Sequence, residues 1–136
     1  MNRESMDQLI NDHFRYEATD DIEGVLRTMA DDAEHELVGG PDGPLRGKAS
    51  IRRFYERLFE DIRGERVEPV MRLYGKNFLV DETIWIGQVV DGRPFKLDGK
   101  AGPVRMRLLH IFKLRDGLIE KENVWFQFDE LKRQLA

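Results

Sequence analysis

The sequence predicts an α+β fold in which three helices precede a curved, mostly antiparallel sheet and lie against one face of it. Three observations predict this. Apolar residues recur at helical spacing as far as Gly64; beyond it, β-branched and aromatic residues recur between turn signals; and the two patterns follow one another instead of alternating. The 136 residues suffice for one sizeable core and are too few for two, so a single domain is expected over 1–136.

The first helix is expected from Ser5, where Ser5 and Gln8 have the spacing of a capping box and Met6, Leu9, Ile10 and His13 form one stripe, to about Glu17. Asp20, with Glu23 three residues on, opens a short second helix whose apolar positions are Ile22, Val25, Leu26 and Met29, ending near Ala30. Ala33 to Val38 reads as a strand. The segment GGPDGPLRG then packs four glycines and two prolines into nine residues and must be a loop. From Lys48 the third helix places Ile51, Phe54, Tyr55, Leu58 and Ile62 on one face and Arg52, Arg53, Glu56, Arg57 and Glu60 on the other, with Gly64 closing it. Strands follow at Val67 to Tyr74, Asn77 to Val90, Val104 to Arg115 and Leu118 to Phe128, punctuated by Gly75-Lys76, Asp91-Gly92 and Asp116-Gly117.

Composition excludes several functions. No cysteine is present, which removes disulfides, zinc-thiolate sites, iron-sulfur clusters and thiol nucleophiles. With 22 basic against 26 acidic residues, a partner held by phosphate neutralisation is not expected, so nucleic acid is excluded. No apolar run approaches the length of a spanning helix and the start MNRESMDQ is polar, so no membrane partner and a cytoplasmic location are expected. RGKAS lacks the glycine and hydroxyl positions of a phosphate-binding loop, and Arg52, Arg53 and Arg57 alternate with acids as a solvated helix face does.

If Asp116 and Gly117 form a two-residue turn, Arg115 pairs with Leu118, and counting back sets His110 opposite Asn123, Leu108 opposite Trp125 and Met106 opposite Gln127. One face then carries Val104, Met106, Leu108, His110 and Phe112 with Ile119, Asn123, Trp125 and Gln127, mainly apolar with a few polar groups, as a small-molecule pocket requires. The other face carries Arg105, Arg107, Leu109 and Ile111 with Val124, Phe126 and Phe128, too apolar to face water alone, so a partner subunit is expected over it. Asp81 and Glu82 fall on opposite faces of their strand, with Trp85 on the side of Asp81. His13 and Tyr16 on the first helix are expected under the same sheet, where Phe14, Phe54, Tyr55 and Trp85 set the pocket shape. A metal site built from His13, His35 and His110 would need a tertiary coincidence, so neither a metal nor a cofactor is expected.

The segments DDIEGVLRTMADDAEHE, GKASIRRFYERLF, LVDETIWIG and RLLHIFKLRDGLIEKENVWFQFDELKRQL together resemble SnoaL-like domain proteins of the nuclear transport factor two, ketosteroid isomerase and polyketide cyclase superfamily. The resemblance implies a cone-shaped, cystatin-like α+β barrel, a pocket between sheet and helices, and a homodimer through the outer sheet face. It also implies a catalytic aspartate after the ENVW stretch, but that position here is Gln127, with Asp129 two residues beyond at the strand end. The general-base aspartate of ketosteroid isomerases would fall at Leu37 and their oxyanion tyrosine at His13. The expected function is therefore binding of a small, largely apolar organic ligand, with proton-transfer chemistry of isomerase, cyclase or dehydratase type, or the same fold without catalysis. His110 is the expected general acid or base because an imidazole titrates near neutrality. His13, Tyr16, Tyr55, Trp85, Asn123, Trp125 and Gln127 are the expected substrate-binding residues.

Overall fold

The computed structural model describes residues 1–136. Its elements run α1 (Arg3–Ala18), α2 (Ile22–Arg27), β1 (Met29–Val38), β2 (Leu45–Arg46), α3 (Lys48–Asp61), β3 (Ile62–Tyr74), β4 (Phe78–Val89), a 3-10 turn (Arg93–Phe95), β5 (Gly102–Arg115), β6 (Leu118–Phe126) and α4 (Phe128–Gln134). The six strands form one sheet in the order β2-β1-β6-β5-β4-β3. Every pairing is antiparallel except β1 with β6. The helices cover the inner face of this sheet, an α+β cone, and no helix is long and apolar enough to cross a membrane.

Helix α1 starts earlier than its sequence suggests. The Asn2 side chain accepts the Ser5 amide at 2.8 Å, so Asn2 is the cap and Ser5 lies inside the first turn. Its buried stripe is Met6, Ile10 and His13. Asp21, not Asp20, caps α2 by accepting the Gly24 amide at 2.9 Å, while Asp20 takes a left-handed φ of 54° in the turn between the helices. Met29 and Ala30 leave the helix and open β1. Helix α3 buries Ile51, Phe54 and Tyr55 as its periodicity predicts, but stops at Asp61, and β3 follows at once. Each such side chain, fully buried, is worth roughly 1.5–3 kcal/mol.

Asp116 and Gly117 both have left-handed φ, 54° and 76°, and form the tight turn expected of them. Asp91-Gly92 does not. There the chain makes a longer excursion between β4 and β5, pinned by the Asp91 carboxylate accepting the amides of Arg93 and Gly99.

The register of the last hairpin differs from the sequence expectation beyond its third residue. Leu114 pairs with Ile119 but Lys113 pairs with Lys121, so Glu120 is an extra residue, a β-bulge. His110 therefore faces Val124, Ile111 faces Asn123 and Leu109 faces Trp125. A shift of one residue exchanges the faces of everything that follows. Glu122 and Val124 turn inward and are buried, whereas Asn123 and Trp125 turn outward. Of the residues expected on the outer face, Val124 is thus inside, Phe126 packs edge-on against Phe95 at 5.1 Å, and Phe128 begins α4. Gln127 is the N-terminal cap position of that helix, Asp129 lies in its first turn, and Gln134 ties it to β5 through the Arg105 backbone.

The close approach of β3 and β4 makes room for Trp85. A Cβ on Gly87 would lie 2.2 Å from the Arg63 carbonyl oxygen and 2.7 Å from the Trp85 ring. Gly87→Ala is expected to destabilise the protein by about 1–3 kcal/mol, the usual cost of overpacking, and to alter the environment of Trp85. Chemical denaturation followed by tryptophan fluorescence reads both, and an unchanged midpoint would show that the two strands are free to separate.

Candidate functional site

A cavity of about 460 Å³ lies between α1, α3 and the inner face of the sheet. Its walls are mainly apolar, with Phe14, Phe59, Trp85, Met106, Leu108 and Val124 prominent, and three titratable groups reach it from within the fold: Glu17, His35 and His110. Each is placed by a different element. Glu17 is one turn beyond His13 on α1, His35 alternates inward from β1, and His110 alternates inward from β5.

Below the cavity the polar groups converge on Glu122. His13 Nε2 is 3.0 Å from Glu122 Oε1 and 3.2 Å from Glu17 Oε1, and the Tyr55 hydroxyl donates to the same Glu122 oxygen at 3.4 Å. The other ring nitrogen, His13 Nδ1, is 2.8 Å from Thr28 Oγ1, whose own hydrogen is given to the Val25 carbonyl at 2.6 Å. That oxygen is therefore an acceptor and Nδ1 a donor, while Nε2 between two carboxylates must also donate. Both nitrogens carry hydrogen, so His13 is an imidazolium.

The charges follow from this arrangement. Burial works against the charge on His13, but Glu122 and Glu17 outweigh it and hold the imidazolium up to about 9. Burial likewise opposes charge on Glu122, yet His13 beside it and the hydrogen bond from His13 bring its carboxyl down to about 2. Glu17 goes the other way: burial, with the Glu122 charge behind it, pushes it up to about 7 despite His13. Burial raises Tyr55 well above the usual phenol range and lowers both His35 and His110, which are neutral.

A second group stands apart from this cluster. His110 Nδ1 is buried, lacks a hydrogen-bond partner and lies 4.0 Å from Asp81 Oδ1, which is equally unpartnered. Asp81 Oδ2 accepts from Arg72 Nε at 2.9 Å. Arg72 also donates to Asp7 at 2.9 Å and Asn11 at 3.0 Å, and the Tyr74 hydroxyl donates to Asp7 at 2.6 Å, so the network fastens α1 to β3 and β4. Asp81 and Glu82 lie on opposite faces as alternation predicts; Asp81 is the one that faces inward, and Glu82 pairs with Arg107 on the outer face at 2.5 Å.

The structure thus brings some of the expected site residues together and separates others. His110 and Trp85 line the cavity, and His13 and Tyr55 support Glu122 beneath it. Tyr16 is elsewhere: its ring fills the space over Gly24, and the guanidinium groups of Arg15 and Arg27 lie against it. Asn123 and Trp125 are on the outer face because of the bulge, and Gln127 is exposed at the start of α4. The expected partnership of His110 with Asn123 does not form. Sequence reasoning missed Glu17 and Glu122, and weighed His35 only as part of a three-histidine metal site that it set aside. The spacing of His13 and Glu17, one helical turn apart, was a usable signal; nothing local marks Glu122.

The sequence model of a family described as SnoaL-like domain matches residues 10–122. No curated protein matches the sequence. Among solved structures, one provisionally described as a polyketide cyclase of Xanthomonas campestris pv. campestris covers all of both chains at 18% identity and TM-score 0.79. TerC co-crystallised with polyporic acid aligns over 94% of this chain and 95% of its own, at 20% identity and TM-score 0.75. An LEH-like epoxide hydrolase of M. tuberculosis aligns over 96% of this chain and 89% of its own, at 16% identity and TM-score 0.73. At these identities the likeness concerns the fold.

The cluster sets a pH dependence of stability. His13 is raised from 6.5 to about 9, so its contribution is complete below 6.5 and is lost as pH climbs through about 9. Glu122 is lowered from 4.5 to about 2, so its contribution is complete above 4.5 and is lost as pH falls through about 2. Glu17, raised from 4.5 to about 7, loses its contribution earlier, as pH climbs from 4.5 through about 7. Melting temperatures in metal-free buffer should therefore decline from pH 6.5 to pH 9 more steeply in the wild type than in His13→Gln. Parallel curves would remove the charge from His13.

Proposed function

Because the chain belongs to the SnoaL-like domain family, we propose that its cavity binds a small, largely apolar organic molecule and that His110 moves a proton on it, in a reaction of isomerase, cyclase or dehydratase type. The observation that carries this reading is His110 at the cavity wall with its buried Nδ1 4.0 Å from an Asp81 oxygen, neither atom having a hydrogen-bond partner. Burial keeps the imidazole neutral, the form a general base requires. With its hydrogen on Nδ1, directed at Asp81 Oδ1, the ring offers the Nε2 lone pair to a ligand. A proton taken from an acidic C–H or an O–H would leave an imidazolium facing the Asp81 carboxylate, which Arg72 holds in place. The 4.0 Å separation is of the kind that closes when a ligand is bound. Apolar walls at Trp85, Met106 and Val124 select the ligand and keep the transferred proton from water.

The exposed glutamine at 127, where the family resemblance implies an aspartate, favours a second reading, the same cavity used for binding without turnover. The two separate on His110. In deuterated water the wild type should catalyse deuterium uptake at the acidic C–H of small cyclic ketones, followed by NMR, and His110→Gln should lower that rate by about 10²–10⁴, the usual worth of a general base. A cyclic ketone that binds without exchange would favour the binding module; equal rates in both proteins would remove His110 from the chemistry.

The outer sheet face supports a second copy of this chain as its cover. Leu73, Ile111 and Trp125 are exposed there at 52%, 37% and 46%. Arg107 with Glu82 and Arg105 with Glu68 put both signs of charge on the same face, which suits an interface that pairs with itself across a two-fold axis. Trp125→Glu should convert a dimer to monomer in sedimentation velocity. A monomeric wild type, or a dimer that survives the substitution, would refute this interface.

A further inference from the structure

We propose that His13, Glu17 and Glu122, with His35 as fourth donor, form a binding site for a first-row divalent transition-metal ion that is open to the cavity. The donor atoms are already clustered. His13 Nε2, one Glu17 oxygen and one Glu122 oxygen lie within 4.8 Å of one another. The two distances measured from His13 Nε2, 3.0 and 3.2 Å, compare with about 3.4 Å for the edge of a tetrahedron built from metal–ligand bonds of about 2.1 Å. His35 Nε2 is 3.7 Å from the same Glu122 oxygen. Small side-chain adjustments would bring two imidazoles and two carboxylates onto one ion.

Independent observations point to a missing partner. Glu122 is fully buried and its Oε2 has no hydrogen bond, an expensive condition for a carboxylate oxygen. His35 Nδ1 is also buried without a partner, so no hydrogen bond through that nitrogen fixes the ring. The surroundings are those of metal ligands rather than of an isolated ion pair. Thr28 fixes the His13 ring through Nδ1 so that Nε2 points at the carboxylates, and the Tyr55 hydroxyl steadies Glu122. Such outer partners orient first-coordination donors in metal proteins. The donors come from α1, β1 and β6, three elements fixed by the core.

Ligand chemistry narrows the ion. Imidazole with carboxylate suits zinc, iron(II), cobalt(II) and manganese(II), whereas magnesium and calcium prefer oxygen alone. Glu17 is the donor at the edge: its side chain is 25% exposed and lines the cavity, so a coordination position beside it is reachable by water or by an oxygen of a bound molecule. In the empty cluster the hydrogen on His13 Nε2 occupies the place of the metal, and the ion would displace it. The site does not depend on the reading of His110, which lies outside the donor set.

The test is a titration of the full chain, freed of metal by chelator and dialysis, with cobalt(II) followed by its visible absorption and with zinc(II) followed by calorimetry. One equivalent should bind with a cobalt spectrum of low coordination number. Glu17→Gln, at the partly exposed position, should fold as the wild type does by circular dichroism and weaken binding at least tenfold; His35→Gln should also weaken it, and His110→Gln should leave it unchanged. The absence of saturable binding, or equal affinity in Glu17→Gln and the wild type, would overturn the site. Because the readout is binding, its failure would leave the deuterium exchange assigned to His110 standing, and the reverse holds as well.

Discussion

The burial of the Glu122 carboxylate is the constraint around which the rest of the molecule is arranged. A charge that deep costs several kcal/mol unless it is matched, and the match comes from residues scattered along the chain: His13 on α1, Tyr55 on α3 and His35 on β1. Helix α1 must therefore cross the sheet at the height of Glu122, and α3 must pass close enough for Tyr55 to reach it. Those two crossings set the gap that becomes the cavity. Phe14, Phe59 and Trp85 line that gap.

The bulge at Glu120 is what delivers Glu122 to that position. Without the extra residue, strict alternation from the Asp116-Gly117 turn would turn Glu122 to the outer face and Asn123 inward. The sheet would then present a neutral amide to His13, and no buried charge would hold the imidazolium. The same bulge moves Trp125 outward into the patch suited to a second subunit. One inserted residue thus assigns roles to both faces of β6.

How much of this the sequence made legible depended on whether the signal was local. The apolar stripe of α3 is written in its own spacing, and the Asp116-Gly117 turn in the preference of two residues for left-handed backbone, so both stand in the structure as expected. That Asp81 and Trp85 share one face and Glu82 the other followed from alternation in a strand whose pairing there is regular, but which face turns inward did not. The bulge has no such signature, since one additional residue in a strand changes no composition, and an error of one in register reversed every later assignment. Glu122 was hidden for a further reason: a glutamate between a lysine and an asparagine reads as solvated, and its burial depends on a histidine 109 residues away. Short α4 escaped because its seven residues give no period to read.

The parallel pairing of β1 with β6 has a consequence for how the chain reaches this state. Until β6 exists, β1 has as partner just the two residues of β2. All the other strands can zip to a neighbour adjacent in sequence, by hairpins or by the excursion between β4 and β5, whereas this seam joins segments from opposite ends of the chain and closes a very long loop. Contacts of such sequence separation form late, because their entropy cost precedes their reward. During synthesis the first 60 or so residues must therefore wait with a half-formed edge. The histidines from α1 and β1 meet their glutamate when that seam closes, so the charged cluster is assembled in the same event that completes the sheet.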